Sequence, residues 1–279
     1  MTIFRATNGL GLVPIAAAVV LLAGCNGNSV GNTITGTFGQ SGMARMIDSS
    51  PSTTQTLSLT ADGGTIDTGV TGSQPFAPYA KVTAGSITFA APPTSESETS
   101  SIAASTNYSV VLEGESGLVD YKLFGFADTN ATPRSTTVRL KIDNAAPDLS
   151  TAVDVYVWVS TNSIPNVPFV ADLALNQDTG SVNNAPGNAY VPPSSDTTTV
   201  FPTGTYDIAI VQTGSVPNGT TDLFDGSVSL SIGNDYSLVI EDSASGAVND
   251  IGVIGGVDEP LQTSNQSSLM LSVSRHPVR

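Results

Sequence analysis

Asn107-Tyr108-Ser109-Val110-Val111-Leu112-Glu113 returns 128 positions later as Asp235-Tyr236-Ser237-Leu238-Val239-Ile240-Glu241. Each copy alternates: Tyr108, Val110 and Leu112 share one face, and Ser109, Val111 and Glu113 share the other. Side chains on a strand point to opposite sides in turn, so this pattern predicts a β-strand, used twice. Downstream, Ser116-Gly117-Leu118-Val119 matches Ser245-Gly246-Ala247-Val248. Upstream, Ala84-Gly85-Ser86-Ile87 matches Thr203-Gly204-Thr205-Tyr206. Further upstream, Ile47-Asp48-Ser49-Ser50-Pro51 resembles Ile142-Asp143-Asn144-Ala145-Ala146-Pro147 with one extra residue. Four landmarks in one order predict two tandem domains. The register of the first strand stays open, because pairing Arg45 with Arg139 differs by one residue from pairing Ile47 with Ile142. A one-residue slip exchanges the two faces.

Other runs alternate in the same way. Tyr206, Ile208 and Ile210 alternate with Asp207, Ala209 and Val211, and Val153, Val155, Val157 and Val159 with Asp154, Tyr156 and Trp158. Turn residues such as Ala61-Asp62-Gly63-Gly64 separate the strands. No stretch carries a 3.6-residue period with caps. The expectation is all-β: two tandem antiparallel β-sandwich domains, Ig-like or transthyretin-like, over 43–133 and 136–257. Residues 258–279 form a C-terminal tail that the pattern does not place.

The second domain is the longer, with its extra residues expected as a loop at about 160–200. That region holds Pro165, Pro168, Pro186, Pro192 and Pro193, with Asn183-Asn184 and Gly187-Asn188. Such a loop is either a ligand-binding feature or a tolerated surface insertion.

The N-terminus reads as an address. Arg5 precedes an apolar run from Leu10 to Ala23, interrupted by Pro14 and too short for a comfortable membrane span. The run ends in Leu22-Ala23-Gly24-Cys25, and Cys25 is the one cysteine of the chain. This resembles the lipobox of bacterial lipoproteins, which implies cleavage of residues 1–24 and lipidation of Cys25. Palmitate-type acyl chains there would anchor the protein in the cell envelope, at the outer membrane or cell surface. Small polar residues over 25–42 read as a flexible tether.

Charge limits the partners. The chain has 9 Lys and Arg against 24 Asp and Glu, a formal net charge of −15. Without clustered bases it has no electrostatic means of holding nucleic acid. One cysteine allows no internal disulfide, so each fold must rest on its core.

The motifs of the second domain are Asp143-Asn144-Ala145-Ala146-Pro147, Val153-Asp154-Val155-Tyr156-Val157, Phe201-Pro202-Thr203-Gly204-Thr205-Tyr206 and Gly233-Asn234-Asp235-Tyr236-Ser237-Leu238. They resemble a family of bacterial surface domains of unknown function, DUF4397. The first domain is the weaker match, lacking the Asp-Val-Tyr-Val strand, and the likeness runs over about 43–257. The resemblance implies a fold and supplies no catalytic residues.

Chemistry is sparse. His276 is the fourth residue from the C-terminus, where a frayed tail cannot position a base. S-x-x-K does not occur, and one Cys with one His makes no zinc site. No cofactor is expected. Asp222 with Asp225, Glu241-Asp242, and Asp258-Glu259 are the carboxylates near strand ends, open to structural calcium or to a glycosidase-type pair. Asp154, Tyr156 and Trp158 share a strand face and form a possible ligand face; packing against the sheet is the alternative. Tyr108 and Tyr236 are expected in the cores, each hydroxyl bonding a backbone carbonyl. The expected function is non-catalytic: an envelope lipoprotein that displays two sandwiches for ligand or partner binding or for structural spacing. A carbohydrate-binding or adhesive surface protein and a hydrolase with spatially assembled carboxylates are the alternatives.

Overall fold

The computed structural model describes residues 40–51, 55–114, 121–128, 139–178, 203–231, 234–243, 250–258, 270–271 and 273–276. Every regular element among them is a strand. The first eight are β1 (Ser41–Ser49), β2 (Leu57–Ala61), β3 (Gly64–Val70), β4 (Ala80–Thr83), β5 (Gly85–Ala90), β6 (Ser97–Ile102), β7 (Asn107–Gly114) and β8 (Tyr121–Asp128). Ten follow: β9 (Arg139–Ala145), β10 (Val153–Val159), β11 (Val170–Leu173), β12 (Gln177–Asp178), β13 (Gly204–Gln212), β14 (Phe224–Leu230), β15 (Asp235–Asp242), β16 (Ile251–Asp258), β17 (Met270–Leu271) and β18 (Val273–Arg275).

Four sheets result, with orders β4-β1-β7-β8, β3-β2-β5-β6, β12-β9-β15-β16-β17 and β11-β10-β13-β14-β18. The first pair encloses one core, with Met46, Leu59, Phe89, Val110 and Leu112 among its members. The second pair encloses another, including Ile142, Val155, Tyr206, Ile208, Leu238 and Ile240. Raising every strand number by eight converts the first two sheet orders into the last two, apart from the added β17 and β18. The repeat in the sequence is therefore a repeat of topology.

Local chemistry explains the elements. The alternation of β10 and β13 sends Val153, Val155, Val157, Tyr206, Ile208 and Ile210 into the second core. Burying each such side chain contributes roughly 1.5–3 kcal/mol. Asp62 (φ 47) and Gly63 (φ 80) make the two-residue turn between β2 and β3. Positive φ at both central positions suits Asp-Gly and matches the twist of the flanking strands.

The all-β sandwich expectation holds, with one parallel pair in each sandwich, β1 with β7 and β9 with β15, while the other pairings are antiparallel. In each parallel pair the returning strand arrives from the opposite sheet, so no hairpin turn imposes an antiparallel direction. Three other expectations are corrected. Neither register read for the first strand holds. Arg45 stands opposite Ser109 and Lys141 opposite Ser237, and those serines are repeat partners. Arg45 therefore corresponds to Lys141, Asp48 to Asn144 and Pro51 to Pro147, with no extra residue. The 160–200 stretch is not one loop either, because β11 and β12 run through it. Between β12 and β13 the chain needs residues 179–203 where β4 and β5 are joined by Ala84 alone. Most of that excess lies outside the described residues. Finally, the tail is partly placed: β17 pairs with β16 and β18 with β14, one strand on each sheet of the second sandwich.

Candidate functional site

The ligand face expected on β10 is largely committed to the fold. Asp154 is buried, and its carboxylate accepts the backbone N–H groups of Asp172 and Gly214, each at 2.9 Å. It ties two loops to the sheet. Tyr156 is buried with Ala209 and Val211 on the outer side of the sheet, and its hydroxyl donates to the Ser215 carbonyl at 3.1 Å. Burial, then the charge of Asp154, raises its phenol pKa. Trp158 packs against this cluster while remaining half-buried, and is the one member of the trio with a ring partly open to solvent.

The carboxylates separate in the same way. Asp222 accepts the N–H groups of Asn218 and Gly219 and closes a loop. Asp225 meets His276 Nδ1 at 3.1 Å, and the His276 N–H donates to the Asp225 carbonyl. His276 is thus pinned beside β14 rather than frayed. Asp242 accepts the Asp148 N–H. The side chain of Asp258, and Glu259 and Cys25, lie outside the described residues. Among the described residues no three His, Cys, Asp or Glu side chains converge as metal ligands.

What the strand pattern did not reveal is a seam between the sandwiches. All of β7 is buried, on both faces. Its inner face fills the first core. Its outer face meets the second sandwich, where Ile47, Phe76, Val111 and Phe124 pack with Ala145, Val239 and Ile254. The contacts are reciprocal: β1 touches β15, and β7 touches β9. Under the eight-strand correspondence these two contacts exchange, so the seam is related to itself by an approximate twofold. The Phe76 ring lies over Gly256, where an added Cβ would sit 2.8 Å from it.

The seam is polar at intervals. Arg45, 2% exposed, donates from Nε to Ser109 Oγ at 2.8 Å and from Nη2 to Ser237 Oγ at 3.1 Å, across the boundary. Its guanidinium lies 4.6 Å from the Tyr79 ring centroid and 5.4 Å from that of Phe76. Those rings and hydroxyls replace the water that a buried cation loses. Its counterpart Lys141 is fully buried and meets Asp143 Oδ2 at 3.3 Å. At the end of the seam stands Glu241, whose carboxyl is pushed up to about 8 by burial, with Asp48 and Asp242 adding repulsion. Asp48 is itself raised by burial, partly offset by its bonds to Ser50.

One signal for the seam was present in the sequence. Val111 and Val239 are apolar on faces that a solvated sheet would make polar, and strands covered on both sides read as near-continuous apolar runs. The tyrosines of those strands do lie in the cores, with other partners than expected. Tyr108 donates to Ser100 Oγ at 2.6 Å, while the Tyr236 oxygen accepts from the Ser231 N–H and Asn234 Nδ2.

Comparison with known families finds a DUF4397 domain, a domain of unknown function, at residues 42–156. The match begins within β1, runs through β8 of the first sandwich, which the motifs had marked as the weaker of the two, and ends within β10 of the second. No curated protein matches the chain.

Proposed function

We propose that the chain is a non-catalytic envelope lipoprotein, held by lipid on Cys25, whose two sandwiches act as one stiff spacing and display unit. The second sandwich is read as a further DUF4397-type domain, on the strength of its equal strand order. The observation that carries the spacer reading is the buried seam. Tandem domains joined only by a linker would swing independently, whereas a shared buried face keeps one orientation. A body of fixed shape on a lipidated tether holds its outer surface at a set reach from the membrane. Three of the described carboxylates support the non-catalytic reading, since Asp154, Asp222 and Asp242 each accept backbone N–H groups.

The deciding experiment is intact mass spectrometry on the membrane fraction of the native host. A diacylglycerol-type mass on a chain beginning at Cys25, absent from Cys25→Ser, is the expected result. A soluble, unmodified wild type would end the anchor reading.

A second reading, glycan or protein binding on the outer side of β10, rests on Trp158. Its ring is partly open, and Val216, next to the carbonyl held by Tyr156, is 59% exposed. Titration with cell-wall and host glycans should then shift Trp158 fluorescence. A flat response across the panel counts against it.

A further inference from the structure

Glu113 and Glu241 occupy equivalent places at the ends of β7 and β15, on the outer faces that form the seam. Their partners differ. Glu113 stands opposite Lys122 of β8, and the two side chains meet at 3.8 Å. Glu241 stands opposite Gly252 of β16. Its carboxylate lies over that glycine, with Oε1 3.1 Å from where a Cβ would be. At the position equivalent to Lys122 the second sandwich carries Gly252, which brings no base.

The other charged groups around Glu241 do not replace it. On β9 the residue opposite is Ala145, and along the same face Lys141 is engaged with Asp143. Across the seam β1 offers Asp48, a like charge, and Arg45, which is held by Ser109 and Ser237. On its own strand Asp242 is a second like charge, turned to the Asp148 N–H. Before β16, Asp250 is held by Arg275 at 3.0 Å. Asp48 Oδ2 has no hydrogen-bond partner among the described residues. An ionised Glu241 would thus be a closely surrounded charge facing Asp48 from the other sandwich with no base opposite.

We propose that Glu241 is a proton-operated latch of the seam: protonated, it lets β1 and β15 close on each other; ionised, it drives that end of the seam open. Glu241 keeps a narrow opening to solvent, so its proton exchanges with water and no other reactant is needed. The sign follows from the direction of the shift. The carboxyl titrates near 8 in the closed seam and near its ordinary 4.5 when free. Closure is therefore fully favoured below about 4.5, weakens as pH rises, and has lost this contribution above about 8.

The test is amide hydrogen exchange on the intact chain between pH 5 and 9, corrected for intrinsic chemistry and read at residues 45–49 and 237–241. In wild type the opening constant should rise by up to about tenfold per pH unit and level off near pH 8. Glu241→Gln should lose the part of the rise that ends near pH 8. Gly252→Lys, which supplies the base that Lys122 supplies to Glu113, should bring the plateau to lower pH. Wild type and Glu241→Gln giving the same profile, or Gly252→Lys leaving the plateau near 8, overturns the latch. Because Gly252→Lys retains Glu241, a folding failure of one variant does not remove the test.

Discussion

The turns that follow β1 and β9 are built alike, with one atom changed. In the second sandwich Asn144 Oδ1 accepts the Ala146 N–H at 3.2 Å, and Nδ2 donates to the Leu173 carbonyl at 3.1 Å. In the first, Asp48 Oδ1 accepts the Ser50 N–H at 3.1 Å, but Oδ2 stands where the donor would be. An amide satisfies both sides of this turn, whereas a carboxylate satisfies one and leaves a buried acceptor unmet. The same contrast recurs at Glu113 and Glu241, with the deficit in the other sandwich. Duplicated frames can therefore share every strand and still differ in where buried charge is left uncompensated. Here both deficits face the seam, Asp48 from one side and Glu241 from the other.

The comparison breaks most severely if the seam itself is cut. Phe76→Ala removes a ring that is 2% exposed and packed between the sandwiches, and should cost about 3–5 kcal/mol. Calorimetry should show one cooperative transition for wild type and two for the variant. Two transitions in wild type would mean that the sandwiches are independent.

Next come the two buried bases. Lys141→Met leaves the fully buried Asp143 without its ammonium and should cost roughly 3–5 kcal/mol, while Lys141→Met with Asp143→Leu should recover most of it. Arg45→Met removes the donors to Ser109 and Ser237 and the cation beside the Phe76 and Tyr79 rings, and should also destabilise, by roughly 1–3 kcal/mol. Urea titrations of the three variants check these losses; a double variant no more stable than Lys141→Met would overturn the ion-pair account.

The turn comparison is sharpened by exchange. Asp48→Asn should stabilise by about 1 kcal/mol at pH 7, and Asn144→Asp should destabilise by about 1–3 kcal/mol. Asp48 is held above its ordinary pKa, so what it contributes is present at acid pH and lost as pH rises through its folded value. The gain from Asp48→Asn should accordingly shrink at low pH. Melting temperatures from pH 3 to 8 decide it, and a gain independent of pH would contradict this account.

The smallest effect separates the two tyrosines. Tyr236→Phe leaves the Ser231 N–H, a fixed backbone donor, and the Asn234 amide without their acceptor, whereas Tyr108→Phe removes the bond to the Ser100 hydroxyl, which can rotate. Each should cost on the order of 1 kcal/mol, Tyr236→Phe more. Denaturant midpoints measured side by side would show the difference or its absence.

The legible parts of the molecule were the local ones. Alternation in β10 and β13 sorted core from outer side correctly, down to Tyr156 lying outside the core with Ala209 and Val211. The alignment of β1 with β9 was not legible, because Ile47 and Ile142 invite each other by type. Only the pairing of those strands with β7 and β15 sets Ile47 against Asp143. That Asp154 reaches for loop N–H groups contributed by Asp172 and Gly214 was not legible, because those loops come to it only in the folded chain.

By itself the sequence determined an all-β chain with a doubled frame, through period-two strands, the 107–113 and 235–241 pair, and turns such as Asp62-Gly63. Those properties depend on neighbours along the chain: which way a side chain points, and which residues tolerate positive φ. The tertiary structure alone decided that the outer faces of β7 and β15 are covered, that Arg45 reaches Ser237 192 positions away, and that Glu241 lies over a glycine. Burial, and with it the energy of a charge, belongs to whatever packs against a surface, and here that surface comes from the other half of the chain.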